Sequence, residues 1–185
     1  MVVQIDDAGW GDLVGGCLLG FLRRETGEYI VKLIDVSHFR PPNFAKKTYL
    51  REALRLAREA LNELKVSKDE TIEICTGSVL SEIRLTLMEE GYNIKPTRIE
   101  GELQDLVENS LLDYYAALGV PRDTLPLESG RERFYALIRW VMEDFKEREK
   151  YVKTGWKSWN SKWRYWKPRK GKVYNGCKPQ RLKFY

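Results

Sequence analysis

Three short apolar runs stand at the start of the chain on short links, and helical and extended periods alternate after them. That order constrains the fold more than any single residue. Val2 to Ile5 reads as a strand. Leu13 to Leu22 is apolar and dotted with glycine, which suits a second strand. Glu25-Thr26-Gly27-Glu28 is a turn, and Tyr29 to Val36 is a third strand. Strands joined this closely pair most simply as an antiparallel meander.

Pro41-Pro42 stops regular structure. Phe44 to Leu64 then carries Leu50, Leu54, Leu61 and Leu64, with Ala53, Ala57 and Ala60 between them, and this spacing predicts a helix. Thr71 to Cys75 is a short β-rich run. Ser78 or Ser81 is placed to cap a helix reaching Glu90, and Gly91 fits its end. Lys95 to Ile99 reads as a further strand. Leu103 to Leu118 is helical, with Leu103, Leu106, Val107, Leu111 and Tyr114 on one face and Gly119 closing it. After Pro121 and Pro126, Gly130 to Lys150 is a last long helix, with Trp140 in its core face. The expected class is α/β, a mixed sheet of three antiparallel and then parallel strands flanked by helices.

The charge is uneven. The 185 residues sum to +5. Tyr151 to Tyr185 holds eleven Lys/Arg and no Asp/Glu, which leaves 21 basic against 27 acidic residues in 1–150. Residues 1–150 therefore read as an acidic domain and residues 151–185 as a basic, Trp-rich C-terminal arm. Cys17, Cys75 and Cys177 have neither zinc spacing nor a disulfide framework. Cys75, inside an apolar strand, reads as a small buried hydrophobe. His38, the single histidine, reads as structural or exposed at a loop edge. With no apolar run of the ~20 residues a membrane span needs, and no signal-peptide pattern, a soluble cytoplasmic protein is expected.

Asp6 and Asp7 follow the first strand, and Ala8-Gly9-Trp10-Gly11 follows them. A strand end holds an acid rigidly, and the glycines keep the space around it open. Such an acid suits a divalent cation, the usual agent of phosphodiester attack. Ile5 to Gly16, IDDAGWGDLVGG, resembles the opening signature of type 2 ribonucleases H, in which Asp-Glu-Ala-Gly-Arg-Gly follows the first apolar residues. The element order over residues 1–120 also resembles the ribonuclease H-like superfamily. The resemblance implies two-metal hydrolysis with Mg²⁺ or Mn²⁺, Asp6 as the bridging acid and Asp7 in the place of the family's Glu. Glu102, Asp105 and Glu108 resemble the final acidic helix of Holliday-junction resolvases. Glu102 or Asp105 is the expected second ligand, with Asp6 a catalytic residue beside both, and Glu108 the third ligand. Two departures stand out. Thr76 lies where an acid is expected, so Glu82 reaches in, or Glu102 and Asp105 compensate together, or the site is degenerate. Trp10 replaces the family's RNA-reading arginine but is still able to stack on a base.

In the arm, Trp156, Trp159, Trp163 and Trp166 alternate with Lys157, Lys162, Arg164 and Lys167. Stacking and phosphate attraction together fit nucleic acid with exposed base faces. The same tryptophans also suit packing against the body or a neighbouring subunit of a homo-oligomer. The expected function is metal-dependent hydrolysis of single-stranded nucleic acid, most simply a 3′→5′ exonuclease on single-stranded DNA, as in archaeal members of the superfamily. A junction resolvase, a ribonuclease H and a non-catalytic binding protein on a decayed fold are the alternatives.

Overall fold

A computed structural model of the chain describes residues 1–126 and 129–167. The sheet has five strands: β1 (Val2–Ala8), β2 (Cys17–Arg23), β3 (Glu28–Ile34), β4 (Thr71–Cys75) and β5 (Asn93–Thr97), in the spatial order β3-β2-β1-β4-β5. The pairs β1–β2 and β2–β3 are antiparallel. The pairs β1–β4 and β4–β5 are parallel. Parallel neighbours need crossovers, and helices provide them. α1 (Thr48–Glu63) joins β3 to β4, and α2 (Ser81–Glu89) joins β4 to β5. α3 (Glu102–Ala117) and α4 (Gly130–Glu143) follow.

Side-chain alternation along β1 divides the core in two. Val3 and Ile5 face one apolar layer with Ala53, Ala57, Ala60 and Leu61 of α1 and Ile83 and Leu87 of α2. Ala8 faces the other layer with Val107 and Leu111 of α3 and Leu137, Ile138 and Val141 of α4. Trp140 is buried there, as its apolar neighbours predict. Gly20, opposite Asp6 on β2, lets α3 lie close: a Cβ there would stand 3.1 Å from Leu103 and Val107.

Several boundaries differ from the sequence reading, each for a local reason. The second strand starts at Cys17 rather than Leu13, because residues 13–15 pair elsewhere. Val14 forms an antiparallel bridge with Val152, the Gly15 N–H donates to the Tyr151 carbonyl at 2.7 Å, and the Lys153 N–H donates to that of Leu13 at 3.0 Å. The first helix starts at Thr48, after a turn-rich approach. Neither Ser78 nor Ser81 caps α2. The Ser81 hydroxyl instead donates to the Ser78 carbonyl at 2.8 Å. β5 lies two residues earlier than expected and carries Pro96, which an edge strand tolerates. The last long helix breaks at Asp144, where the backbone leaves helical angles, and α5 (Phe145–Arg148) resumes after it.

Residues 151–167 do not stand apart from the body. Val152, Lys153 and Trp159 are buried, the last within a short helix, α6 (Lys157–Ser161). The remainder of the arm, 168–185, lies outside the described residues. No helix among the described residues is long and apolar enough to cross a membrane.

Gly16 marks the tightest approach in the sheet: a Cβ there would lie 1.9 Å from the Ile34 carbonyl oxygen. Backbone cannot yield as a side-chain tip can, so Gly16→Ala is expected to destabilise the protein by ~3 kcal/mol or more in urea denaturation. A loss under ~1 kcal/mol would show that β3 can shift away.

Candidate metal centre

Pairing between β1 and β4 ends at Ile5 opposite Ile74, so Asp6, Asp7 and Cys75 are the first side chains past the last parallel rung. An oxygen of Asp6, an oxygen of Asp7 and the Sγ of Cys75 lie within 4.8 Å of one another. The carboxyl ends of parallel strands are where open α/β sheets bind ligands. Gly77, just beyond β4, leaves room for this meeting: a Cβ there would sit 2.8 Å from Asp7 Oδ1. The guanidinium of Arg84 fixes the same loop by donating to the carbonyls of Cys75 and Gly77, the latter at 3.0 Å.

The electrostatics of the two acids are unfavourable without a cation. Burial pushes the Asp6 carboxyl up, against hydrogen bonds from the Cys75 thiol and the Asp7 backbone that pull it down. Burial, and then the charge of Asp6, push Asp7 from 3.8 up to about 6. Burial, together with the charge of Asp6, also raises the Cys75 thiol, whose Sγ lies within 4.8 Å of an oxygen of each acid. Cys75 is therefore a half-buried polar partner of the acid, not the apolar filler its strand suggested. It also occupies the place beside Asp6 that the sequence reading gave to Thr76, which is exposed.

Of the three helical acids, Glu108 alone is half-buried and acts by its charge on Asp7, without joining the cluster of Asp6, Asp7 and Cys75. Leu103, Val107, Leu111, Leu112 and Tyr115 form the buried face. At about 100° per residue, Glu108 falls within ~60° of the middle of that face, Asp105 ~120° away and Glu102 nearly opposite. Glu102 and Asp105, expected as ligands, are accordingly exposed and lie outside the cluster of Asp6, Asp7 and Cys75. Burial raises the Glu108 carboxyl, Arg133 pulls it down, and the charges of Asp12 and Asp6 raise it again. Glu108 also raises Asp7. Glu82, in the first turn of α2, does not join the cluster.

Three charged residues that the sequence reading passed over complete the surroundings. Asp12 is 2% exposed and accepts from Tyr115 Oη at 2.8 Å and from Arg133 Nε at 2.8 Å. Arg133 also donates to Glu108 at 3.1 Å, so one guanidinium joins α4 to both the glycine turn and α3. Lys153 is wholly buried, and its ammonium donates to the carbonyls of Gly9 and Trp10 from above the Phe39 ring. Gly9 holds φ +84°, and a Cβ there would stand 2.8 Å from Leu111, so the turn needs glycine. Burial brings Lys153 down to about 8, while Cys17, Asp12 and Asp7 hold it up. Of the six buried charged residues, Asp6, Asp12, Arg133 and Lys153 gather at this turn, and only Arg23 and Glu70, an ion pair of their own at 2.6 Å, do not. A hint of Asp12 was available in the sequence, one residue after the glycine turn; Lys153 and Arg133 left none.

The aromatic residues expected to touch nucleic acid divide. Trp10 packs on Phe39 and Tyr49, with ring centroids 5.9 and 5.1 Å away, and is half-buried among them. Trp159 is 1% exposed and stacks on Phe145, so it is core and not a contact surface. Trp156, Trp163 and Trp166 are half-buried, and Lys157, Lys162, Arg164 and Lys167 are exposed. The Lys162 ammonium lies over Trp163, and Arg164 pairs with Glu149 at 3.6 Å. His38 is half-buried with Nδ1 2.9 Å from the Thr48 hydroxyl, a structural position.

The donor chemistry fits a hard divalent cation. Asp6, Asp7 and Glu108 offer carboxylate oxygens, the ligands magnesium and manganese prefer, and Lys153 and Arg133 offset only part of the cost of their burial. The Cys75 thiol is soft, and burial opposes its ionisation, so it fits such a cation poorly. Comparison with known protein families finds none that matches the chain, and comparison with curated proteins finds no relative.

Proposed function

We propose that the protein is a divalent-metal-dependent nuclease of ribonuclease H-like architecture, acting on single-stranded nucleic acid. The observation that carries this reading is the meeting of Asp6 and Asp7 at the carboxyl end of β1, beside Cys75 of β4 and under the charge of Glu108, in a sheet ordered β3-β2-β1-β4-β5. Desolvated acids in a cleft are a mark of functional sites.

Asp6, Asp7 and Glu108 would hold Mg²⁺ or Mn²⁺, which supplies activation of water and stabilisation of a leaving oxygen. The chain's own groups set the scene for that chemistry. Asp6 and Asp7 present carboxylates from a rigid strand end. Arg133 steadies Glu108 and Asp12 together. Lys153 closes the turn from beneath and balances part of the charge of Asp7. Substrate preference for DNA, and an exonuclease mode, follow only from the superfamily resemblance.

A second reading, a non-catalytic nucleic-acid-binding protein, is favoured by one observation: Cys75 stands beside Asp6 where the resemblance expects a carboxylate. Labelled single-stranded DNA with Mg²⁺ or Mn²⁺ separates the two. Wild type is expected to cleave, and Asp6→Ala to lose at least about 100-fold, since even groups outside the ligand shell cost 10–100-fold. Cleavage unchanged in Asp6→Ala would sink the site. Binding without cleavage by wild type would establish the second reading. A thermal shift on adding Mn²⁺, absent in Asp6→Ala, checks the site without relying on activity.

A further inference from the structure

Beside the glycine turn lies an open pocket of about 430 Å³, lined by Gly11, Arg131, Phe134, Tyr135, Trp156 and Trp163 among others. The volume falls within the ~300–1,000 Å³ of small-molecule sites. Its walls are aromatic and pack edge to face: Phe134 meets Trp163 at 4.8 Å, and Tyr135 meets Trp163 at 6.1 Å and 76°. Among the described residues no carboxylate lines it, and Arg131 brings an exposed cation to its edge at the first turn of α4. Gly11 opens it further, since a Cβ there would meet nothing within 4 Å.

The pocket shares its walls with the surroundings of the acid cluster. Gly11 lies between Asp7 and Asp12. The turn of α4 that supplies Arg131 and Phe134 also sends Arg133 to Asp12 and Glu108. The Lys153 ammonium beneath the turn lies 5.8 Å from the Trp156 ring. A group seated among these rings thus lies against the same glycine turn and the same helix that hold Asp12 and Arg133. Aromatic rings and an exposed guanidinium, with no carboxylate among the described lining residues, match a planar heterocycle that carries a phosphate.

We propose that this pocket is a nucleobase subsite, which takes one unstacked base of the substrate strand while Arg131 holds its phosphate. The inference rests on the nuclease reading and adds to it how the strand is gripped at the glycine turn. Stacking in sites of this kind changes binding by roughly 5- to 150-fold per base.

The test is calorimetric titration of the full chain, in EDTA, with deoxynucleoside 5′-monophosphates and with deoxyribose 5-phosphate, which has the anion without the base. The monophosphates are expected to bind at least about tenfold more tightly than the sugar phosphate. Trp163→Leu should weaken them about tenfold, and Arg131→Gln should weaken them and flatten the salt dependence. Gly11→Leu, which fills the mouth without a clash, should block them, and it serves if Trp163→Leu does not fold. No binding of any monophosphate, equal binding of the sugar phosphate, or binding indifferent to Arg131→Gln and Gly11→Leu overturns the subsite. Metal-dependent cleavage without monophosphate binding removes the subsite and leaves the nuclease reading. Monophosphate binding that these variants weaken, without cleavage under any metal, keeps the subsite and removes the nuclease reading.

Discussion

Asp7→Asn is expected to make the metal-free protein more stable at pH 7, by ~1–3 kcal/mol. The folded carboxyl keeps its proton up to about pH 6, whereas its ordinary value is 3.8. Between those values the folded state binds more protons than the unfolded one, so stability falls as pH rises through the window, and the loss is complete above it. A displacement from 3.8 to about 6 corresponds to on the order of 3 kcal/mol. Asparagine keeps the shape and removes the charge that burial and Asp6 oppose. The attraction between Asp7 and Lys153 is lost as well, and it is already contained in that net displacement. Urea denaturation in EDTA at several pH values checks this, and the gain should shrink toward zero near pH 4. A variant less stable than wild type at pH 7 would mean that the Lys153 attraction outweighs desolvation. Loss of metal-dependent cleavage in the same variant would complete a stability–activity exchange of the kind expected at functional sites.

Arg133→Met is expected to cost ~3–5 kcal/mol, the range for removing one partner of a buried ion pair. Asp12 is 2% exposed and would keep only the Tyr115 hydroxyl among its side-chain partners. Glu108 would lose the cation that pulls its carboxyl down, so its pKa should rise. Methionine matches much of the arginine stem, which leaves the missing charge as the main change. Adding Asp12→Asn removes the stranded carboxylate, so the double variant should recover ~1–3 kcal/mol relative to the sum of the single ones. Strictly additive losses would show that the two residues act through separate packing.

The element order and the place of Asp6 were legible because both depend on local patterns. A period of two that gives way to acids and glycine marks a strand end wherever the rest of the chain goes. The choice among the helical acids was not legible, because it depends on the phase of one helix against the sheet. The apolar stripe read from Leu103, Leu106, Val107, Leu111 and Tyr114 is turned by about 60° from the face that is buried, and that rotation brings Glu108 toward the buried side while Asp105 stays outward in either phase. Cys75 was misjudged by one position, since a strand's last residue is set by its partner's register. Lys153 could not be found at all: it meets Gly9 across 144 residues, and a lysine in a basic stretch looks like solvent-facing charge. Trp159 misled for the same reason, as spacing between cations does not say which ring turns inward.

The strap formed by residues 151–153 has a consequence for how the protein is made. Synthesis proceeds from the N-terminus, and domains tend to fold in that direction. The acids leave the ribosome before every later strand of the sheet, yet the ammonium that braces their turn comes only with Lys153. A nascent or prematurely ended chain can therefore carry Asp6 and Asp7 without the brace on their turn, so the two acids are set only once synthesis has passed residue 153.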